Sequence, residues 1–172
     1  MIPNERALFR WEIALELKDK GDYTGAQEVM RPLWKRVGEH PKTEGLYPSV
    51  AAEVLLCAGI LTSLIGSRDE IKEANEWARD LLTESISYYE SLHDVIKIAA
   101  IRAELGYCYW RAGSLDEARI VFTEALKNLT DVGITSSSFF ELGQSFDYRS
   151  IIINTLTLMP LVTCLLSLYF LT

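Results

Sequence analysis

The chain has 172 residues, of which 49% are hydrophobic and 24% charged, and it carries a net charge of −7 with a pI near 4.9. That length and composition predict one globular domain. The acidic balance and the lack of any basic run exclude a nucleic-acid-binding face, which needs clustered Lys and Arg to displace counterions from phosphate.

Cys57, Cys108 and Cys164 are scattered and odd in number, which is not a disulfide framework. A reducing cytoplasm is the expected setting. The opening residues, Met1 to Arg6, show no basic stretch leading into an apolar core, so no signal peptide is expected.

Helical periodicity dominates as far as residue 130. Leu8, Trp11, Ile13, Ala14, Leu15 and Leu17 share one face of a helix predicted over 4–20. Gly21-Asp22 ends it. A second helix is predicted over 23–38, with Tyr23, Ala26, Val29, Met30, Leu33, Trp34 and Val37 as its apolar residues and Pro32 kinking it or shifting its start. Pro41, Gly45 and Pro48 mark a loop over 39–48. Ser49 to Ile65 reads as a helix apolar nearly all round, hence buried on several sides, with Ser49 as a candidate N-cap. Gly66 to Asp69 breaks it. A long helix over 69–92 follows, striped by Ile71, Ala74, Trp77, Ala78, Leu81, Leu82, Ile86 and Tyr89. Helices over 95–112 and 115–130 complete the series, joined at Gly113-Ser114. The break glycines Gly21, Gly66 and Gly113 lie 45 and 47 residues apart. Paired helices at regular spacing are the mark of a solenoid.

The third pair carries Leu105, Gly106, Tyr109, Gly113, Ala118, Phe122 and Ala125, and this pattern resembles the tetratricopeptide (TPR) repeat. Arg102 stands where the motif has its first aromatic residue, and Thr130 where it ends in Pro. The first pair is a weaker copy through Ala14, Leu17, Gly21, Tyr23, Ala26 and Met30, with Ala14 in place of the motif's Gly. In the middle pair Gly59 and Ala78 are 19 residues apart, against 12 between Gly106 and Ala118, so about two helical turns are inserted. Long repeats of this kind look like the sensor arrays of bacterial maltose-regulator-type transcription regulators.

The resemblance implies an all-α fold. It is expected to be a right-handed α-solenoid of about three antiparallel helix pairs over residues 1–130, with repeats at about 4–38, 49–92 and 95–130. It also implies that the first helix of each pair lines a concave groove. The corresponding positions are Trp11, Leu15 and Lys18 in the first repeat, and Ala103, Tyr107, Trp110 and Arg111 in the third. Anchoring on Gly59 adds Glu53, Leu56, Ile60 and Ser63. Trp, Tyr and Arg are the usual anchors of protein interfaces, although Trp11 and Trp110 placed between helices would serve packing instead. The expected role is a scaffold for a protein or peptide. The alternative is a piece of a multidomain regulator whose repeats sense a ligand.

No chemistry is expected. His40 and His93 fall at helix junctions and form no ligand spacing. Neither a phosphate-binding Gly-x-x-x-x-Gly-Lys nor a Gly-x-Ser-x-Gly elbow occurs. Asp69-Glu70 and Asp116-Glu117 are expected to open helices, where carboxylates favour the positive end of the dipole. No catalytic residue, cofactor or metal follows from the sequence.

Residues 131–172 break the pattern. The last 22 contain no charge and 15 apolar residues. Three readings stand: a membrane anchor over 151–172, a packed capping segment, or a frameshifted or truncated end of a longer repeat protein. The anchor reading has the length to span a bilayer, but the run is diluted by Asn154, Pro160, Ser167 and four Thr residues. Under it the protein is membrane-associated; otherwise a cytoplasmic location is expected. Deleting residues 134–172 should leave a helical and more soluble protein, measured by far-ultraviolet circular dichroism. Unfolding of the shortened chain would assign the tail to the core, and carbonate-resistant membrane association of the full chain would support the anchor.

Overall fold

A computed structural model describes residues 3–131 and Gly133. The tail and the three readings of it lie outside the described residues. Among those described there are six α-helices and no strand, so the described part of the protein is all-α. They are α1 (Pro3–Asp19), α2 (Tyr23–Met30), α3 (Pro48–Arg68), α4 (Ala74–Ser91), α5 (Val95–Arg111) and α6 (Leu115–Asp131). The chain divides into two compact units, Met1–Asp94 with α1 to α4 and a second beginning at Val95 with α5 and α6.

Four helix ends close in the same way. After α1 the Asp22 N–H donates to the Leu17 carbonyl at 2.9 Å. After α3 Ile71 donates to Gly66 at 2.9 Å, after α4 Asp94 to Tyr89 at 3.1 Å, and after α5 Ser114 to Tyr109 at 2.9 Å. Each bond spans five residues and needs the residue before its donor in the left-handed region. Those residues are Gly21 (φ 78°), Glu70 (φ 55°), His93 (φ 56°) and Gly113 (φ 79°). Two of the four are therefore side-chain-bearing residues in a conformation that glycine adopts most cheaply.

This closure corrects the sequence reading of the α3–α4 junction. Gly66 is not the turn; it lies inside α3. Asp69 does not open α4 but caps α3, donating its N–H to the Ile65 carbonyl, and its carboxylate takes the Arg68 guanidinium at 2.7 Å. The helix predicted from 69 starts at Ala74. Asp116 and Glu117, by contrast, do sit in the first turn of α6.

Small residues let α3 and α4 approach closely as an antiparallel pair. A Cβ added to Gly66 would land on Ala74, and one added to Gly59 would stand 3.0 Å from Leu82 and 3.3 Å from the Ala78 carbonyl. Farther along, the Ser85 hydroxyl donates to the Ala52 carbonyl at 2.8 Å. The Tyr89 hydroxyl donates to the buried Glu53 carboxylate at 2.5 Å, so that charge is not left bare in an apolar helix. At the other end the Ser63 hydroxyl donates to Asn75 Oδ1 at 2.9 Å.

All residues of α3 from Val50 to Ser63 are buried, which agrees with its apolar circumference. It is the one helix among those described that is long and apolar enough to cross a membrane, with a mean hydropathy of 1.9, and 89% of that window is buried inside the fold. Tyr47 rather than Ser49 is its N-cap, with Pro48 at the first position, where a missing N–H costs nothing. On one side it meets α1 and α2. Ala7, Trp11, Ala14, Ala26, Met30 and Trp34 join Val54, Leu55, Ala58 and Leu61 in a single core.

The helix predicted over 23–38 stops at Met30. Pro32 lacks the N–H that would bond the Glu28 carbonyl, and its ring would clash there. Residues 31–47 instead form an ordered strap. Trp34 is its anchor, 1% exposed, with its indole N–H on the Glu39 carbonyl at 3.0 Å. Lys42 N–H meets the Leu33 carbonyl at 2.7 Å, and Tyr47 N–H meets Asn4 Oδ1 at 2.7 Å. Gly38 lies against the Trp77 ring of α4, where an added Cβ would stand 3.1 Å away.

The left-handed closures generate opposite expectations at two equivalent joints. Gly113→Ala should lower stability by about 1 kcal/mol, and His93→Gly should raise it by about 0.5 kcal/mol, after allowing for the greater freedom glycine gives the unfolded chain. Chemical denaturation measures both.

Candidate partner-binding face

The second unit is built on one crossing. Helix α5 buries Ile98, Ala99, Ala100, Ile101, Ala103, Glu104, Gly106, Tyr107 and Cys108. Helix α6 buries Ala118, Phe122, Ala125 and Leu129 along one stripe. A Cβ on Gly106 would come within 2.7 Å of the Phe122 ring, so glycine here makes room for that ring. Phe122 then meets Tyr107 edge to face, with centroids 5.3 Å apart and planes at 75°, the geometry in which a positive ring edge meets a negative face.

The four expected face residues of α5 fall into three layers. Ala103 is buried in the crossing, at 1% exposed. Tyr107 is also buried, and its hydroxyl has no hydrogen-bond partner. Burial raises the protonation constant of that phenol far above its usual value of 10; the Glu104 charge adds to the effect and the Arg111 charge opposes it. Arg111 is half-buried, with its guanidinium carbon 5.6 Å from the Tyr107 ring centroid, within cation–π range. Trp110, the residue before Arg111, is 42% exposed.

In the first unit the expected face residues are placed differently. Trp11 belongs to the core with α2 and α3, and Leu15 packs against that core partly buried. Lys18 pairs with Asp19 at 3.0 Å, its own side chain only 12% exposed. Its charge faces the Cys57 thiol, which burial nevertheless pushes up to about 12. Leu56 and Ile60, expected on an open groove, are both 8% exposed. Glu53 and Ser63 are buried as well, and their side chains serve the α3–α4 pairing. The correction has a plain cause: a helix apolar on every side has no side to leave open. Of the eleven residues expected to line a groove, Trp110 alone is exposed.

Sequence reasoning missed the polar links. Glu53 with Tyr89, Ser85 with Ala52 and His40 with Glu84 join residues 33 to 44 positions apart, and no local pattern announces such pairs. Among the described residues no three His, Cys, Asp or Glu gather as metal ligands would. No protein-family model matches the chain, and neither a curated protein nor a solved structure matches it.

Two substitutions separate the parts of this crossing. Gly106→Leu should cost about 1–3 kcal/mol by driving a side chain into Phe122. Tyr107→Phe should leave stability unchanged or raise it by about 1 kcal/mol, because it removes a buried hydroxyl without a partner. Thermal denaturation of both variants checks the pair.

Proposed function

We propose that this chain is a protein-interaction scaffold of the TPR kind, a right-handed α-solenoid of about three antiparallel helix pairs that holds a peptide or partner helix. The observation that carries this reading is Trp110, 42% exposed next to the Arg111–Tyr107 pair. Packing among the described residues leaves this indole open, and Trp, Tyr and Arg dominate the binding energy of protein interfaces. The TPR resemblance assigns the same three positions to the concave side. The helix closure repeated after α1, α3, α4 and α5 supports a modular repeat, as does glycine at the crossings of α3 with α4 and of α5 with α6.

A second reading rests on helix length. Helices α3 and α4 have 21 and 18 residues, against 17 each in α5 and α6. A long middle pair suits the long repeats of the regulator sensor arrays, in which the repeats answer to a ligand and control a domain elsewhere. Both readings assign α5 a binding role and no catalytic one.

Affinity capture from cell extract with the full chain as bait tests the scaffold. Trp110→Ala should weaken capture of a specific partner by about 2 kcal/mol or more, roughly thirtyfold. Its melting temperature should stay within about 4 °C of the parent. Undiminished capture with a melting point lowered by many degrees would make Trp110 a packing residue and remove the face.

A further inference from the structure

His40 sits on the strap between α2 and α3 with an acceptor at each ring nitrogen. Nδ1 is 2.8 Å from the Pro41 carbonyl oxygen, and Nε2 is 2.7 Å from Glu84 Oε2 on α4. A carbonyl cannot donate a hydrogen bond, and neither can an ionised carboxylate. Neutral imidazole has one N–H and satisfies one of these contacts; imidazolium has two and satisfies both. The geometry is thus that of the charged ring.

The same stretch of strap meets α4 a second time, where Gly38 lies on the Trp77 ring. Gly38 has φ +84°, so a side chain there would be strained as well as pressed into the indole. Trp77 is 37% exposed and Pro41 is buried. Lifting residues 38–41 would bare both.

We propose that residues 31–47 are a pH-gated strap: with both His40 nitrogens protonated it is fastened to α4 at Glu84 and over Trp77, and loss of one proton frees the 38–41 corner. The charged surroundings agree. The Glu84 hydrogen bond is the largest influence raising the His40 protonation constant above its ordinary 6.5; burial opposes it, and the Pro41 carbonyl and the Glu84 and Glu44 charges add to it. On the strap, Arg36 is already engaged with Glu39 at 2.7 Å, and Lys42 follows Pro41 in sequence. On α4, Asp80 and Tyr88 lie one turn to either side of Glu84. Because the folded value is raised, the fastening contributes fully below pH 6.5 and is lost as pH rises through the higher folded value.

The chain has two histidines, so the full-length His93→Gly variant leaves His40 as the one imidazole to follow by proton NMR. Its Cε1–H resonance should titrate with a midpoint above 6.5. Across the same pH window the Lys42 amide, bonded to the Leu33 carbonyl, should lose protection from hydrogen exchange by about two- to fivefold after correction for the intrinsic rate, as suits an exposed ion pair. Trp77 emission should shift in step, and Trp77→Phe should remove that shift. His40→Gln should hold protection and emission at their high-pH levels throughout, with the helical circular dichroism intact. Glu84→Gln should bring the His40 midpoint down towards 6.5. A midpoint at or below 6.5 in the His93→Gly chain would overturn the proposal. So would a step in exchange or emission that survives in His40→Gln, or constant protection across a raised midpoint.

Discussion

Everything in the first unit depends on how closely α3 and α4 approach. Gly59 and Gly66 remove side chains where Leu82, Ala78 and Ala74 need the space. That approach brings Ser85 to a backbone carbonyl and Tyr89 to Glu53, so these buried polar side chains have partners. A buried carboxylate without a partner would cost several kcal/mol. The spacing therefore has to be right before the chemistry of the seam can be. The opposite face of α3 then receives Trp11, Met30 and Trp34, large residues that fill what a narrow crossing cannot.

The second unit solves the same problem with a different partner. Gly106 yields to the ring of Phe122 rather than to a small residue, and Tyr107 fills the edge of that ring. Tyr107 brings its hydroxyl with it. The phenol is held neutral by burial, and nothing in the crossing accepts its proton in a hydrogen bond. The unit gains aromatic packing at the expense of one unsatisfied polar atom.

The helices were legible because their signals are local. Periodicity placed α1, α5 and α6 within a residue or two of their observed bounds, and the glycines at 21 and 113 are turns because a left-handed residue is needed there. The same rule misled at Gly66. A glycine in a helix can mean close approach as well as termination, and Ala74 lies eight residues away, outside any local pattern. Glu70 and His93 occupy the left-handed positions at the other two joints, and neither residue type signals that conformation. Of the positions expected on a groove, only Trp110 on α5 is exposed. On α3, carrying over groove positions by register conflicted with the helix's own composition, and burial prevailed for Leu56 and Ile60. His40 looks in sequence like a plain junction residue because its partner lies 44 residues further on.

The apolar circumference of α3 also has a meaning in time. A ribosome completes this helix at Arg68 and must add 23 more residues before α4 ends at Ser91. At ordinary rates of synthesis that takes about one to five seconds. During that interval α1, α2 and the strap are available to cover one side of α3, and the seam side has no partner yet. A nascent chain in that state displays Gly59, Gly66 and their aliphatic neighbours as a bare ridge. The close fit that stabilises the finished molecule thus creates a brief window in which the chain depends on whatever shields unfinished proteins in the cell.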